Sequence, residues 1–363
     1  MRKAAVIGTG LIGGSIGLAL GRAEFEVHGV DRDRERLGRA VELGAAAVAA
    51  ESVEDAVADA EVAFVAVPVG QVAEVAVAAL DAGARLVTDV GSVKAPVVAA
   101  VEAARPELAR RFVGGHPMAG SEQEGLAGAD AELFVGAVWV LTPTGRTDPG
   151  AFTSLRSLLV GIGAEVVAVT PEHHDDLVAV VSHVPQLAAT TLMDVAATGG
   201  EQHATLLRLA AGGFRDMTRI AAGHPGIWPD ICVANRDAIV EALDDYVAAL
   251  GQVRGLVAAG DRSGLLDLLE RARAARRNLP VGVGADELPL VELRVPVPDR
   301  PGVLAEVTTL AGQLGVNIVD LEIAHSMEGS AGVLVLLVSA SRADELEHGL
   351  HALGYHSSRS LLG

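Results

Sequence analysis

Five short stretches carry side chains whose types and spacing could do chemistry. His116 lies in Gly114-Gly115-His116-Pro117-Met118-Ala119-Gly120-Ser121-Glu122, just after the apolar pair Phe112-Val113. A histidine among small residues, on a loop at a strand end, suits acid–base work; a lone loop histidine can also be a surface or capping residue. Ser92 follows another strand in Asp89-Val90-Gly91-Ser92-Val93-Lys94. It reads as a helix N-cap, as a substrate contact, or as both. His183, in Ser182-His183-Val184-Pro185-Gln186, interrupts an apolar helix and by itself reads as a core histidine satisfied by a backbone carbonyl. Asp216 and Arg219 stand three apart in Phe214-Arg215-Asp216-Met217-Thr218-Arg219, so a helix puts them on one face. They are either a surface ion pair or an arginine that grips a carboxylate bidentately, tuned by the acid.

The fifth stretch, Gly8-Thr9-Gly10-Leu11-Ile12-Gly13, shows what must position the others. An apolar strand, Ala4 to Ile7, enters it and an apolar helix, Leu11 to Leu20, leaves it. Gly8 permits the turn, Gly10 admits a pyrophosphate, and Gly13 lets helix and strand pack. The strand Glu26 to Val30 then ends at Asp31, 18 positions after Gly13. That is near the roughly 20 expected for a carboxylate on the ribose 2′-OH. Gly8, Gly10, Leu11, Ile12, Gly13 and Asp31 are the expected cofactor contacts. Asp31 favours NAD, and the adjacent Arg32 can accept a 2′-phosphate, which leaves NADP open.

Strand and helix patterns alternate from residue 1 to 170, which predicts a parallel doubly wound Rossmann-type sheet. Residues 171–280 read almost wholly as helix: Glu172 to Ala197 around Pro185, Glu201 to Ala211, Trp228 to Leu250, and Gly264 to Arg277. Their excess apolar surface predicts a homodimer. Residues 281–289 read as a linker, and 290–363 as a small α+β domain of order βαββα with a final short strand.

Half of the 363 residues are hydrophobic, only 3% are aromatic, and the net charge is −19. Such a chain lacks stacking platforms and repels a phosphate backbone, so no nucleic-acid partner is expected. An anionic substrate needs a local positive pocket. The single cysteine, Cys232, excludes an internal disulfide and a cysteine metal cluster, and no metal is expected. Met1-Arg2-Lys3 opens a strand rather than a signal peptide. No apolar stretch of about 18 or more residues is seen, so a cytoplasmic chain without a membrane partner is expected.

Together the five stretches resemble the prephenate dehydrogenase family, including its arogenate-using members. The resemblance covers residues 1–280, and the His-Pro-Met-Ala-Gly run is its most specific part. It implies an oxidoreductase that converts prephenate to 4-hydroxyphenylpyruvate and CO2 with hydride transfer to NAD, in tyrosine biosynthesis. The alternative is an arogenate dehydrogenase. By the resemblance, His116 takes the proton of the ring hydroxyl and Ser92 shares that hydroxyl. Arg219 binds a substrate carboxylate, His183 and Ser121 line the pocket, and Glu122 and Asp216 form a gating ionic network. Gln186 stands where many members carry a second histidine, at a place that bears on side-chain preference. A β-hydroxyacid dehydrogenase would need a catalytic lysine in the helical region, and 171–279 contains none. A dinucleotide-sensing regulator would not need the His116 stretch.

Residues 290–363 resemble a ferredoxin-like ACT domain through Asp299-Arg300-Pro301-Gly302-Val303-Leu304 and Gly315-Val316-Asn317-Ile318. That implies binding of an aromatic amino-acid effector near Asp299, Gly302 and Asn317, or a domain that only strengthens the dimer.

Overall fold

The computed structural model describes every residue except 1, 121, 122, 124, 199–211, 224, 278–289, 299, 326–330, 362 and 363. Ser121, Glu122, Asp299, the expected helix 201–211 and the linker therefore lie outside the described residues. The chain divides into two compact units, Met1–Gly255 and Leu256–Gly363.

The first unit opens with β1 (Arg2–Ile7), α1 (Leu11–Arg22), β2 (Phe25–Val30), α2 (Arg34–Glu42), β3 (Val48–Ala49) and α3 (Val53–Val57). It continues through β4 (Val62–Val65), α4 (Val69–Asp81), β5 (Val87–Asp89), α5 (Ala95–Ala104), β6 (Phe112–Pro117), β7 (Val138–Thr142), α6 (Pro149–Gly161) and β8 (Glu165–Ala168). The strands form one sheet of order β3-β2-β1-β4-β5-β6-β7-β8. Strands β1 and β4 are apolar almost throughout because helices cover both faces, one core layer being built on Ile7, Val65 and Val87 and the other on Val6, Phe64 and Trp139.

Two expectations need correction here. The sheet is not parallel throughout, because β7 runs antiparallel to β6. His116 is not on a loop: it lies within β6, paired with Val140. The alternation of strand and helix could not reveal this reversal, since β6 and β7 are joined without a full crossover helix.

Helix α7 (Pro171–Val178), a π-helical turn (Ala179–His183) and α8 (Val184–Ala197) form one continuous rod. The rod corrects the reading that no apolar stretch reaches membrane length. By length and composition alone, Pro171–Ala197 is apolar enough to cross a bilayer, though one third of its most apolar window is buried in the protein. Then follow α9 (Gly212–Thr218), a 3-10 turn (Arg219–Ala222), α10 (Trp228–Ala234) and α11 (Arg236–Ala259). The helix expected from Trp228 to Leu250 is thus broken at Asn235. Asp216 and Arg219 fall on either side of a helix end rather than on one helix.

The second unit contains α12 (Arg262–Arg277), β9 (Leu290–Pro298), α13 (Val303–Gln313), β10 (Ile318–His325), β11 (Ala331–Ser339), α14 (Ala340–Ala352) and β12 (Ser358–Leu361). Its antiparallel sheet has the order β10-β11-β9-β12. Its core gathers Val291, Leu293 and Val295 against Val307, Leu346 and Leu350.

Candidate active site

The glycine loop between β1 and α1 is built as its spacing predicts. Gly8 has φ +97°, and a Cβ there would lie 2.2 Å from the Ala66 carbonyl oxygen. A Cβ on Gly13 would lie 1.9 Å from the Gly8 oxygen, so this loop closes only with glycine. Gly10 differs: its Cβ would meet nothing within 4 Å, so the space beside it is open. No side chain caps α1, which leaves its leading N–H groups, at Leu11 and Ile12, for an anion. At the end of β2, Asp31 accepts from the Thr9 N–H at 2.8 Å and the Thr9 hydroxyl at 2.9 Å. An open glycine face, an uncapped helix start and a nearby carboxylate fit a dinucleotide. The arginine beside that carboxylate is Arg36, 3.5 Å from Asp31 and 3.2 Å from Asp33. Arg32, the neighbour in sequence, is exposed.

A second group of side chains sits at the carboxyl ends of β5 and β6. Asp89 ends β5 and is fully buried. Its Oδ2 accepts from the Gly91 N–H at 2.9 Å and its Oδ1 from the Gly115 N–H at 3.1 Å. The Lys94 ammonium, also fully buried, donates to Asp89 Oδ2 and to the Gly115 carbonyl. Burial lowers the Lys94 pKa, while Asp89 and then Asp175 act against that shift. Gly115 is glycine because a Cβ would lie 2.7 Å from the Asp89 carbonyl oxygen and 3.1 Å from Trp139 Nε1. The close approach of β6 to β5 and β7 fixes where His116 stands.

His116 is held by residues far away in the chain. Its Nδ1 is 2.9 Å from His174 Nε2, and His174 Nδ1 is 2.7 Å from Asp175 Oδ1. Asp175 also accepts the backbone N–H groups of Lys94 and Ala95, both at 2.8 Å, and so caps α5 from α7. Ser92 therefore does not cap α5; the N-cap position is Lys94, and the capping carboxylate comes from elsewhere. An ionised carboxylate only accepts, so the His174 proton sits on Nδ1 and its Nε2 accepts from His116. Neutral His116 then carries its proton on Nδ1 and a lone pair on Nε2. That Nε2 has no hydrogen-bond partner among the described residues. Burial first, then the charges of His174, Lys94 and His183, hold the His116 pKa well below 6.5. The arrangement is a neutral base with a fixed tautomer.

His183 lies in the π-helical turn, a distortion common at functional sites. It is not satisfied by a carbonyl. Its Nδ1 is 3.2 Å from the Asn235 side-chain nitrogen, which also donates to the Asp175 carbonyl oxygen at 2.9 Å. Asn235 donates, so neutral His183 bears its proton on Nε2, a buried donor with no partner among the described residues. Burial lowers its pKa to about 4. Gln186, one turn on, donates to the Ile220 carbonyl at 3.1 Å and so ties α8 to the turn that begins at Arg219. Arg219 and Asp216 are exposed. The structure thus joins His116 and His183 in one network through His174, Asp175 and Asn235, and attaches the Arg219 turn to the same rod. Sequence reasoning passed over His174, Asp175 and Asn235. The signal was the run His173-His174-Asp175-Asp176 in an otherwise apolar helix.

The chain is similar to known proteins over most of its length. Residues 16–168 match the model of the prephenate dehydrogenase nucleotide-binding domain, and 170–271 that of its dimerization domain. A prephenate dehydrogenase of Bacillus subtilis (strain 168) is 35% identical over 332 residues, 90% of this chain and 89% of the relative. The crystal structure of Aquifex aeolicus prephenate dehydrogenase with hydroxyphenyl propionate and NAD+ aligns with a TM-score of 0.71 at 30% identity, over 77% of this chain and 99% of that one. The structure of Synechocystis arogenate dehydrogenase aligns with a TM-score of 0.67 at 32% identity, over 76% and 99%. The glycine loop, the His116 network and these matches lead to one assignment: the chain belongs to the prephenate dehydrogenase family.

Proposed function

We propose that the chain is an NAD-dependent prephenate dehydrogenase, which oxidatively decarboxylates prephenate to 4-hydroxyphenylpyruvate and CO2 in tyrosine biosynthesis. The observation that carries this is the Asp175–His174–His116 chain at the carboxyl edge of the sheet that bears the glycine loop. NAD supplies the hydride acceptor for C4 of the cyclohexadiene ring. His116 Nε2 takes the hydroxyl proton as the C–O bond becomes a carbonyl, and the imidazolium that forms is stabilised by the hydrogen bond to His174, which Asp175 orients. The ring carboxylate leaves as CO2, the electron pair of the broken bond passes through the ring to the carbonyl oxygen, that oxygen recovers the proton from His116, and aromatisation drives the step. Arg219 grips a substrate carboxylate and Ser92 shares the hydroxyl with His116. The buried Nε2–H of His183 is a donor for a polar substrate group. Ser121, Glu122 and Asp216 complete the pocket in this reading.

Asp31 supports NAD, and Arg36 is the residue placed to meet a 2′-phosphate if NADP binds. The keto or amino side chain is the point on which prephenate and arogenate differ, and Gln186 is committed to the Ile220 carbonyl beside the Arg219 turn. The test is reduction of NAD and NADP by each substrate, followed at 340 nm. Turnover with prephenate and NAD supports the reading, turnover with arogenate alone moves it to the amino substrate, and no turnover with either overturns it.

Domains at 1–170, 171–280 and 290–363 joined by 281–289, a homodimer through the helices, and a cytoplasmic enzyme complete the proposal. Val180, Val181, Val195, Val233 and Val247, all on these helices, are more than 60% exposed and support the dimer. The sheet order of the second unit and the left-handed Gly302 at the start of α13 support an ACT-like domain that binds an aromatic amino acid. Deletion of 288–363 should abolish amino-acid inhibition and spare catalysis; inhibition that survives places the effector in the active site.

A further inference from the structure

The amino-terminal edge of the eight-stranded sheet carries a second concave site, remote from the chemistry. Strands β1, β4, β5 and β6 are neighbours, and the residues at or just before their starts are Arg2, Glu61, Arg85 and the pair Arg110-Arg111. The topology thus gathers four arginines from distant parts of the chain on one edge. They line a cavity of about 410 Å³ together with Asp148 at the start of α6. A second cavity of about 400 Å³, lined by Phe25, Thr153, Ser154 and Ser157, meets the first at Arg2 and Ser154.

The charges in this site are unequally matched. Both carboxylates are already used: Glu61 accepts from Arg2 Nε at 2.9 Å, and Asp148 caps α6 by accepting the Ala151 N–H at 2.9 Å. Arg2 also lies over the Phe25 ring, 4.2 Å from its centre. The guanidinium groups of Arg85, Arg110 and Arg111 have no hydrogen bond or ion pair among the described residues. Three arginines whose guanidinium groups are unpaired among the described residues line one cavity in a chain of net charge −19. Guanidinium forks match phosphate oxygens bidentately, and the volume suits a small molecule rather than a single ion. Strand β1 has six residues, which puts this edge on the order of 20 Å from the glycine loop.

We propose that this edge binds a small molecule carrying two or more linked phosphate groups. The phosphates lie against Arg85, Arg110 and Arg111. Any organic body extends past Arg2 toward Phe25 and the Ser154 and Ser157 hydroxyls. The proposal does not depend on which cyclohexadienyl substrate the enzyme uses.

The test is calorimetric titration of the full chain with pyrophosphate and, separately, with ADP, at low salt and with saturating NAD to occupy the glycine loop. One saturable site per protomer is expected. Its affinity should fall about tenfold or more in Arg85→Ala/Arg111→Ala, and partly in Arg85→Lys/Arg111→Lys, which keeps charge but loses the forks. The melting temperature of each variant confirms that it is folded. Equal affinities for the two ligands place recognition on the phosphates, and tighter ADP brings in the second cavity; either supports the proposal. No saturable binding by the wild type, or equal binding by wild type and the alanine variant, overturns it.

Discussion

The two edges of the eight-stranded sheet treat charge in opposite ways. At the carboxyl edge Asp89, Lys94 and Asp175 are at most 4% exposed, and each is held by several hydrogen bonds. At the amino edge Arg85 and Arg110 are exposed and, with Arg111, unpaired among the described residues. Burial at the first edge determines protonation and tautomer, which acid–base chemistry needs before substrate arrives. Exposure at the second keeps long side chains hydrated and adjustable, which suits capture of an ion. The same fold thus makes one edge rigid and expensive to alter, and the other tolerant.

The largest expected effect tests that contrast directly. Lys94→Met leaves Asp89 buried without its cation and should cost about 3–5 kcal/mol of stability in denaturant unfolding. Arg111→Ala should change it by no more than about 0.5 kcal/mol. Similar losses in the two variants would erase the distinction.

His183 predicts a pH effect of nearly that size. Its folded pKa, about 4, lies below the ordinary 6.5. Above pH 6.5 both folded and unfolded states hold it neutral. Between pH 6.5 and 4 only the unfolded state gains the proton, so stability falls as pH falls, by up to about 3 kcal/mol. His183→Asn should flatten that slope relative to wild type; parallel curves would show that His183 is not the source.

His116→Asn should lower kcat by about 10²-fold or more, within the range of general acid–base groups, with little change in melting temperature. Wild-type kcat/KM should fall only well below pH 6.5, because the base must be neutral and its pKa is depressed. An acid limb near 6.5, or unchanged turnover in the variant, would remove its role. The smallest effect is expected at Arg219, which is exposed. Arg219→Ala should raise KM about tenfold with kcat nearly unchanged, since ground-state carboxylate binding is lost. A normal KM with collapsed kcat would place the arginine in the chemical step.

Much of this was legible in the residue order. Gly8 and Gly13 declared their turn because only glycine tolerates φ +97° or a neighbour 1.9 Å from a Cβ position. The strands β1 and β4 were visible as apolar runs, and the long rod from Pro171 as an apolar helix. What periodicity could not show was the direction of β7, since a strand looks alike in either sense and its partner is chosen by packing. The placement of His116 within β6 followed from that hidden pairing.

Local sequence, then, determined the dinucleotide loop, the helix-rich middle and the identity of His116 as a candidate base, because turn geometry and burial periodicity act over a few residues. Only the tertiary structure decided which nitrogen of that histidine is basic. The answer depends on His174 and Asp175, 58 and 59 residues further along, brought to β6 by the docking of α7. Hydrogen-bond direction passes through space rather than along the chain, and so does the gathering of arginines 2, 85, 110 and 111 at the opposite edge.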